Sequence, residues 1–472
     1  MHRVTPVIGF AALSAIASAQ APKPNIVFIL ADDLGYGEVG CYGQQLIATP
    51  NIDRLAAEGM RFRQFYAGNT VCAPSRSVLM TGQHMGHTRV RGNSGGLPQS
   101  LAANDVTLAR VLRDGGYATG LIGKWGLGLP GEPGAPEKQG FDYYFGFPSQ
   151  TDAHNYYPAF LWRNGEKVPL PNVVTHLGSG ELTGYATKAV AYASDLFAED
   201  AHAFVERNRA KPFFLYLALT APHANDERAR ALGDGNEVPD YGPYASKPWT
   251  DTQKGHAAMI TRMDRDVGAL MAQLKQLGLD ERTLVIFTSD NGPHREGGKD
   301  YDPAFFHASG PLSGEKRDLL EGGIRVPFIA RWPGRIKAGA ESAQVGYFGD
   351  MMATFAELAG AKLPERPLDS VSLVPTLFGR GAQAQHEYFY WEFYERGLVQ
   401  AVLLGDGRWK GLRPKAPAGP IELFDLKNDF AEKTDVAAKN PEIVSRIDAI
   451  MHAAHVDNEY WRFDRPVPAS RN

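Results

Sequence analysis

Asp32 and Asp33 follow directly on the apolar run NIVFILA at 25–31, and Asp290 and Asn291 stand at the end of a second run, LVIFTSD at 284–290. Asp and Asn also serve turns and helix caps, so one such pair would carry little weight. Two pairs at equivalent strand ends can converge. Three carboxylates and an amide oxygen are then the hard ligands that calcium or magnesium requires, whereas zinc prefers a His or Cys core that this set lacks. Between the pairs lies Asn69-Thr70-Val71-Cys72-Ala73-Pro74-Ser75-Arg76-Ser77-Val78-Leu79-Met80-Thr81-Gly82. Pro74 suits the first turn of a helix, which puts Cys72 at a helix N-terminus, where partial positive charge favours an anion or a thiolate. Cys72 is thus a candidate nucleophile, with a buried thiol or a partner for Cys41 as the plainer readings.

These residues need a scaffold, and the chain supplies one in a repeated rhythm of short apolar runs and helical patterns. Strands are expected at 25–31, 118–124, 212–219, 284–290 and 326–332; helices are expected at 50–60, 107–117, 186–207 and 253–277. Doubly buried strands separated by helices make a mostly parallel α/β sheet, which binds ligands beyond the carboxyl ends of its strands. After Pro364 the pattern changes. YFYWEF at 388–393, VQAVLLGD at 399–406 and RWKGLRP at 408–414 read as antiparallel strands, followed by a helix at about 440–455. This gives a catalytic domain over 20–364 and a smaller C-terminal subdomain over 365–472.

Residues 1–19 read as a signal peptide: His2 and Arg3 start it, the apolar stretch 7–17 follows, and Ala17-Ser18-Ala19 offers a cleavage site before Gln20. The apolar stretch is too short to span a bilayer, so a periplasmic or secreted protein with no membrane span is expected. With 49 Lys+Arg against 53 Asp+Glu, the chain has no basic field for a phosphate backbone, which argues against nucleic acid as a partner. Two cysteines, Cys41 and Cys72, cannot build a disulfide framework.

The segment Cys72-Ala73-Pro74-Ser75-Arg76 with Leu79-Met80-Thr81-Gly82 resembles the C-x-P-S-R…TG signature of the formylglycine-dependent sulfatases, members of the alkaline phosphatase superfamily. Further motifs follow in family order: Pro24-Asn25-Ile26 through Asp32-Asp33-Leu34-Gly35, Gly123-Lys124-Trp125, Pro222-His223, Ser289-Asp290-Asn291-Gly292, and Lys316 with Glu321 to Pro327. The resemblance implies an alkaline-phosphatase-like α/β/α sandwich. It also implies oxidation of Cys72 to formylglycine by a maturation enzyme, and a calcium ion, magnesium being less suited, held by Asp32, Asp33, Asp290, Asn291 and residue 72. The hydrated aldehyde would attack sulfur with one hydroxyl and release sulfate through the other. Asp290 would take the nucleophile's proton, Arg76 would hold the site together, Lys124 and Lys316 would bind the sulfate, and His223 would protonate the leaving alcohol.

One departure stands out: the family commonly has G-K-W-H-L-G, and this chain reads Gly123-Lys124-Trp125-Gly126-Leu127-Gly128. The absent histidine is associated with the collapse step, and His84, His87, His154 and His294 are candidate replacements, with His154 and His294 preferred. For the substrate wall the candidates are Ser149 or Gln150, His154, His294, Arg91 and Asn93, and the aromatic run at 152–162 offers rings for stacking on sugars. The expected substrate is a sulfated saccharide or a small aryl sulfate. The alternatives are a phosphonate or phosphate ester hydrolase of the same superfamily and an impaired protein that binds sulfated glycans.

Overall fold

The computed structural model describes residues 23–93 and 100–464, so the expected signal peptide and its cleavage point fall outside the described residues. Its centre is a ten-stranded sheet in the order Ala340–Ser342, Met60–Phe62, Phe328–Arg331, Thr283–Ser289, Asn25–Asp32, Phe213–Pro222, Ala118–Lys124, Tyr143–Phe147, Phe160–Arg163, Glu166–Pro169. The five strands from Thr283–Ser289 to Tyr143–Phe147 pair in parallel. Strand Phe328–Arg331 pairs antiparallel on both sides, and Phe160–Arg163 and Glu166–Pro169 add an antiparallel edge, so the sheet is mixed with a parallel core.

Strand Asn25–Asp32 is buried along its whole length, and its side chains divide between two cores. Ile26, Phe28 and Leu30 pack on one face with helices Cys72–Thr81, Leu108–Asp114 and Asp350–Ala359; Val27, Ile29 and Ala31 pack on the other with Pro50–Ala57, Ala193–Asn208 and Asp251–Gln276. This is the α/β/α sandwich expected. Alternation along a strand forces the division, because successive side chains point to opposite faces.

The four-stranded antiparallel sheet Tyr388–Phe393, Val399–Leu404, Trp409–Arg413, Glu422–Asp425 follows, with helix Pro441–Ala454 against it. Its apolar face joins the first core through Phe389, Trp391, Leu403 and Met451. Buried ion pairs fasten it as well: Arg91 meets Glu392 at 2.7 Å, and Lys410 meets Glu321 and Glu432 at 3.0 and 2.8 Å.

Two local expectations need correcting. The helix expected from 186 begins at Ala193, and Gly184–Lys188 is instead a strand paired with Val173–His176. Asn172 fixes the change, because its Oδ1 accepts from the amides of Val190 and Ala191 at 2.8 Å and takes that backbone out of a helix. The Gly/Pro-rich passage 126–148 ends in a strand, Tyr143–Phe147, that pairs with Ala118–Lys124.

Candidate active site

Register brings the two oxygen-rich pairs together. Strands Asn25–Asp32 and Thr283–Ser289 run parallel with Ala31 opposite Ser289, so Asp32-Asp33 and Asp290-Asn291 leave the sheet side by side. The Asp33 amide donates to Asp290 Oδ1 at 3.1 Å, and the Leu34 amide donates to Ser289 Oγ at 2.9 Å. Asp33 holds a left-handed φ of +65°, uncommon for a residue other than glycine. Gly292 must be glycine for a different reason: a Cβ there would lie 1.9 Å from the Gly322 carbonyl oxygen.

Helix Cys72–Thr81 starts at Cys72, as its sequence predicts, and all ten of its residues are buried. Ser75 Oγ accepts from the Gly68 amide at 3.0 Å and donates to the Asp290 carbonyl at 2.6 Å, tying the helix to the strand end. Cys72 Sγ lies 3.2 Å from Asp32 Oδ1. Burial first and Asp32 second push the Cys72 thiol well above its usual range, outweighing Lys124. Burial thus works against the thiolate that a helix N-terminus favours. Asp32, Asp33, Cys72 and Asp290 each offer a ligand atom, all within 4.8 Å of one another, and burial followed by repulsion from Asp32 lifts Asp290 to about 7.

Three cations face these three carboxylates. Arg76 reaches Asp290 Oδ2 through Nε and Nη2 at 3.0 and 2.7 Å and the Lys124 carbonyl through Nη1 at 2.6 Å. Lys124 Nζ donates to Asp32 Oδ2 at 2.7 Å, and Lys316 Nζ donates to Asp33 Oδ2 at 2.8 Å. His223 follows strand Phe213–Pro222, whose last peptide bond, Ala221-Pro222, is cis. Its Nδ1 lies 2.6 Å from the Ala224 carbonyl, which can only accept, so the ring proton sits on Nδ1. The Nε2 lone pair then accepts from Lys316 Nζ at 3.2 Å. Burial, with Lys316 adding to it, holds this imidazole neutral.

The outer candidates fare unequally. His154 stacks on His223 with ring centroids 4.7 Å apart, and its Nδ1 bonds Glu227 at 3.2 Å. His294 lies beneath His223, but Pro222 O takes its Nε2 and the Glu296 amide takes its Nδ1, so neither nitrogen is available as a base. Arg91 does not reach the site: Glu392 and the carbonyls of Thr88, Gly86 and Val456 use up its guanidinium. His84 and His87 stack on each other; Asp369 accepts from the His84 backbone amide and bonds His87 Nδ1, and His84 Nδ1 accepts from the Gly86 amide. Asn93 Oδ1 accepts from the Ala73 amide in the first turn of the Cys72 helix. Tyr156 and Tyr157 are core residues rather than a sugar platform; Tyr156 donates its hydroxyl to the Thr220 and His223 carbonyls. Gln150 is buried beside Gly126. Both cysteines are free thiols. Sequence reasoning missed Glu296, whose carboxylate meets Lys316 at 3.6 Å and also bonds Arg317; no motif marks it.

A family described as "Sulfatase" matches residues 24–361, and one described as "N-sulphoglucosamine sulphohydrolase, C-terminal" matches residues 314–456. The chain belongs to the sulfatase family, the formylglycine-dependent enzymes of the alkaline phosphatase superfamily, and it is a sulfuric ester hydrolase. It is 36% identical to arylsulfatase A of Homo sapiens over 91% of this chain and 87% of that protein. It is 30% identical to N-acetylgalactosamine-6-O-sulfatase of Bacteroides thetaiotaomicron over 91% of this chain and 93% of that one. The crystal structure of Ps i-CgsB in complex with k-i-k-neocarrahexaose superposes with a TM-score of 0.74 at 29% identity, covering 93% of this chain and 94% of that one.

Proposed function

We propose that this sulfatase is an exported enzyme that cleaves sulfate esters of saccharides, with residue 72 oxidised to formylglycine and a calcium ion at the strand ends. Small aryl sulfates would serve as simpler substrates. The observation that carries the reading is the meeting of Asp32, Asp33, Asp290 and Asn291 around residue 72 at one end of the parallel strands. The names of the N-acetylgalactosamine-6-O-sulfatase relative and of the neocarrahexaose complex favour a saccharide.

The residues fit a hard divalent ion. Asn291 spends its Nδ2 on Asp33 Oδ1 at 2.7 Å and on the Gly292 carbonyl, while its Oδ1 is buried without a hydrogen-bond partner. Three carboxylates crowded beside that orphaned oxygen gain from a cation, and calcium accepts a protein-rich oxygen shell more readily than magnesium, which keeps its waters. Asp32, Asp33, Asp290, Asn291 and residue 72 would hold it, and when bound it would supply Lewis-acid polarisation of the sulfate.

Formylglycine hydrate offers two hydroxyls. One bonds sulfur as the alcohol departs, and loss of the proton from the other expels sulfate and restores the aldehyde, which a thiol cannot do. Arg76 orients the Asp290 carboxylate, which accepts the nucleophile's proton. Lys124 and Lys316 complement the sulfate oxygens. Lys316 and His223 act as a pair: the Lys316 ammonium is the proton source, and its proton reaches the leaving oxygen by way of His223 Nε2, leaving Lys316 neutral, with Nδ1 fixed by Ala224.

Matched sulfate, phosphate and phosphonate esters of one alcohol test this reading. Sulfate turnover should dominate, and dominant phosphoester or phosphonate turnover would overturn it.

A further inference from the structure

The turn that carries Lys124 contains an unusual exclusion. Trp125 and Gly126 extend the parallel ladder beyond strand Ala118–Lys124, their amides donating to Phe147 O at 2.9 Å and Pro148 O at 3.0 Å. Gly126 holds a left-handed φ of +78°. A Cβ on it would lie 1.9 Å from Gln150 Nε2, 2.5 Å from Cδ and 3.2 Å from Cγ. The Gln150 side chain therefore already fills the volume that any side chain at 126 would enter. Gln150 is 7% exposed; its Nε2 donates to the Gly126 carbonyl at 3.3 Å, and its Oε1 is buried without a partner.

Resting on the proposed role of Lys124 in binding sulfate, we infer that positions 126 and 150 form one slot behind Lys124, and that Gln150 fills it from the neighbouring strand end as a positioning residue for the Lys124 turn. Three consequences follow from the chemistry. A carboxamide does not titrate near neutral pH, so the slot holds a neutral group where the family motif places an imidazole. The orphaned Oε1 is an acceptor, and sulfate oxygens are acceptors too, so that atom is no sulfate ligand. Through Nε2, Gln150 holds the carbonyl two residues beyond Lys124, whose own carbonyl is held by Arg76.

A double-mutant cycle with pH profiles tests this on the full-length, mature enzyme, using a chromogenic sulfate ester and with thermal midpoints checked for every variant. Gly126→Ala should lower kcat/KM at least about tenfold, through the collision and the left-handed φ. Gln150→Ala should act mainly by raising KM, because a loosened Lys124 weakens sulfate binding in ground and transition states alike. The combination Gly126→Ala/Gln150→Ala should be more active than Gly126→Ala alone, the rescue expected when the second change vacates the space the first needs. Gly126→His/Gln150→Ala should add one further ionisation near the imidazole range, about 6.5, to the pH profile that the wild type and Gln150→Ala share, read as the difference between the profiles. The inference is overturned if Gly126→Ala matches the wild type, if the double variant is no better than Gly126→Ala, or if the histidine variant shows no further ionisation. An error in the formylglycine reading would leave these ratios intact, since every variant is compared with the wild type on one substrate.

Discussion

Arg76 donates through both Nε and Nη2 to a single oxygen of Asp290, Oδ2, at 3.0 and 2.7 Å. Both side chains are fully buried, and the second carboxylate oxygen receives the Asp33 amide, so this one pair couples the Cys72 helix to both oxygen-rich strand ends. A fork that grips one atom fixes direction as well as charge.

Lysine cannot reproduce that grip. Arg76→Lys is expected to keep the fold but lower kcat/KM by about 100-fold or more, because a point charge leaves the carboxylate free to turn. Arg76→Ala leaves a buried carboxylate without its partner and should lower stability by about 3–5 kcal/mol in urea unfolding.

In the proposed mechanism His223 and Lys316 share the proton for the leaving group, so the effect of removing either should depend on how much that group needs one. His223→Gln is expected to lower kcat by about 100-fold or more on a sugar sulfate, and by less than about tenfold on an activated aryl sulfate such as 4-nitrophenyl sulfate. Equal losses on both substrates, measured at saturating concentration, would contradict the assignment.

Metal removal should be visible in stability as well as in activity. Dialysis against a chelator is expected to abolish turnover and lower Tm, and calcium should restore both better than magnesium does. Ligand at about 1,000 times its Kd stabilises by about 4 kcal/mol, and Asn291→Ala should lose much of that calcium-dependent increment.

Glu392 gives the fold an acid-sensitive fastener. Burial alone would raise its pKa, but Arg91 and His455 outweigh it and hold the carboxyl at about 2, below the ordinary 4.5. A depressed folded pKa means that the stabilisation is present above about pH 4.5 and disappears as pH falls toward 2. Its full size is on the order of 3 kcal/mol. Urea unfolding from pH 6 to pH 3 should show the loss, and Glu392→Gln should flatten that slope while lowering stability at pH 6, because Arg91 then lacks its counter-charge.

The parallel core and the metal-type cluster were legible because each rests on local signals: continuous apolar runs, acidic strand ends and a helix start at Cys72. Arg91 misled for a physical reason. Nothing near it in sequence announces Glu392, 301 residues away, which claims its guanidinium. His294 sits at the right place in the chain, yet two backbone groups occupy its nitrogens, and backbone partners have no sequence signature. The mixed edges of the sheet were equally hidden, since antiparallel pairing of Phe328–Arg331 depends on which neighbours it meets rather than on its own apolar run.

The chemistry proposed for this site stands or falls on residue 72. The most direct measurement is the mass of the peptide that contains it, taken from enzyme shown to turn over a sulfate ester. Conversion of the thiol to an aldehyde removes about 18 Da relative to cysteine, and that loss is the predicted result, with a further water in the hydrated form. An unmodified Cys72 throughout a fully active preparation would contradict the account.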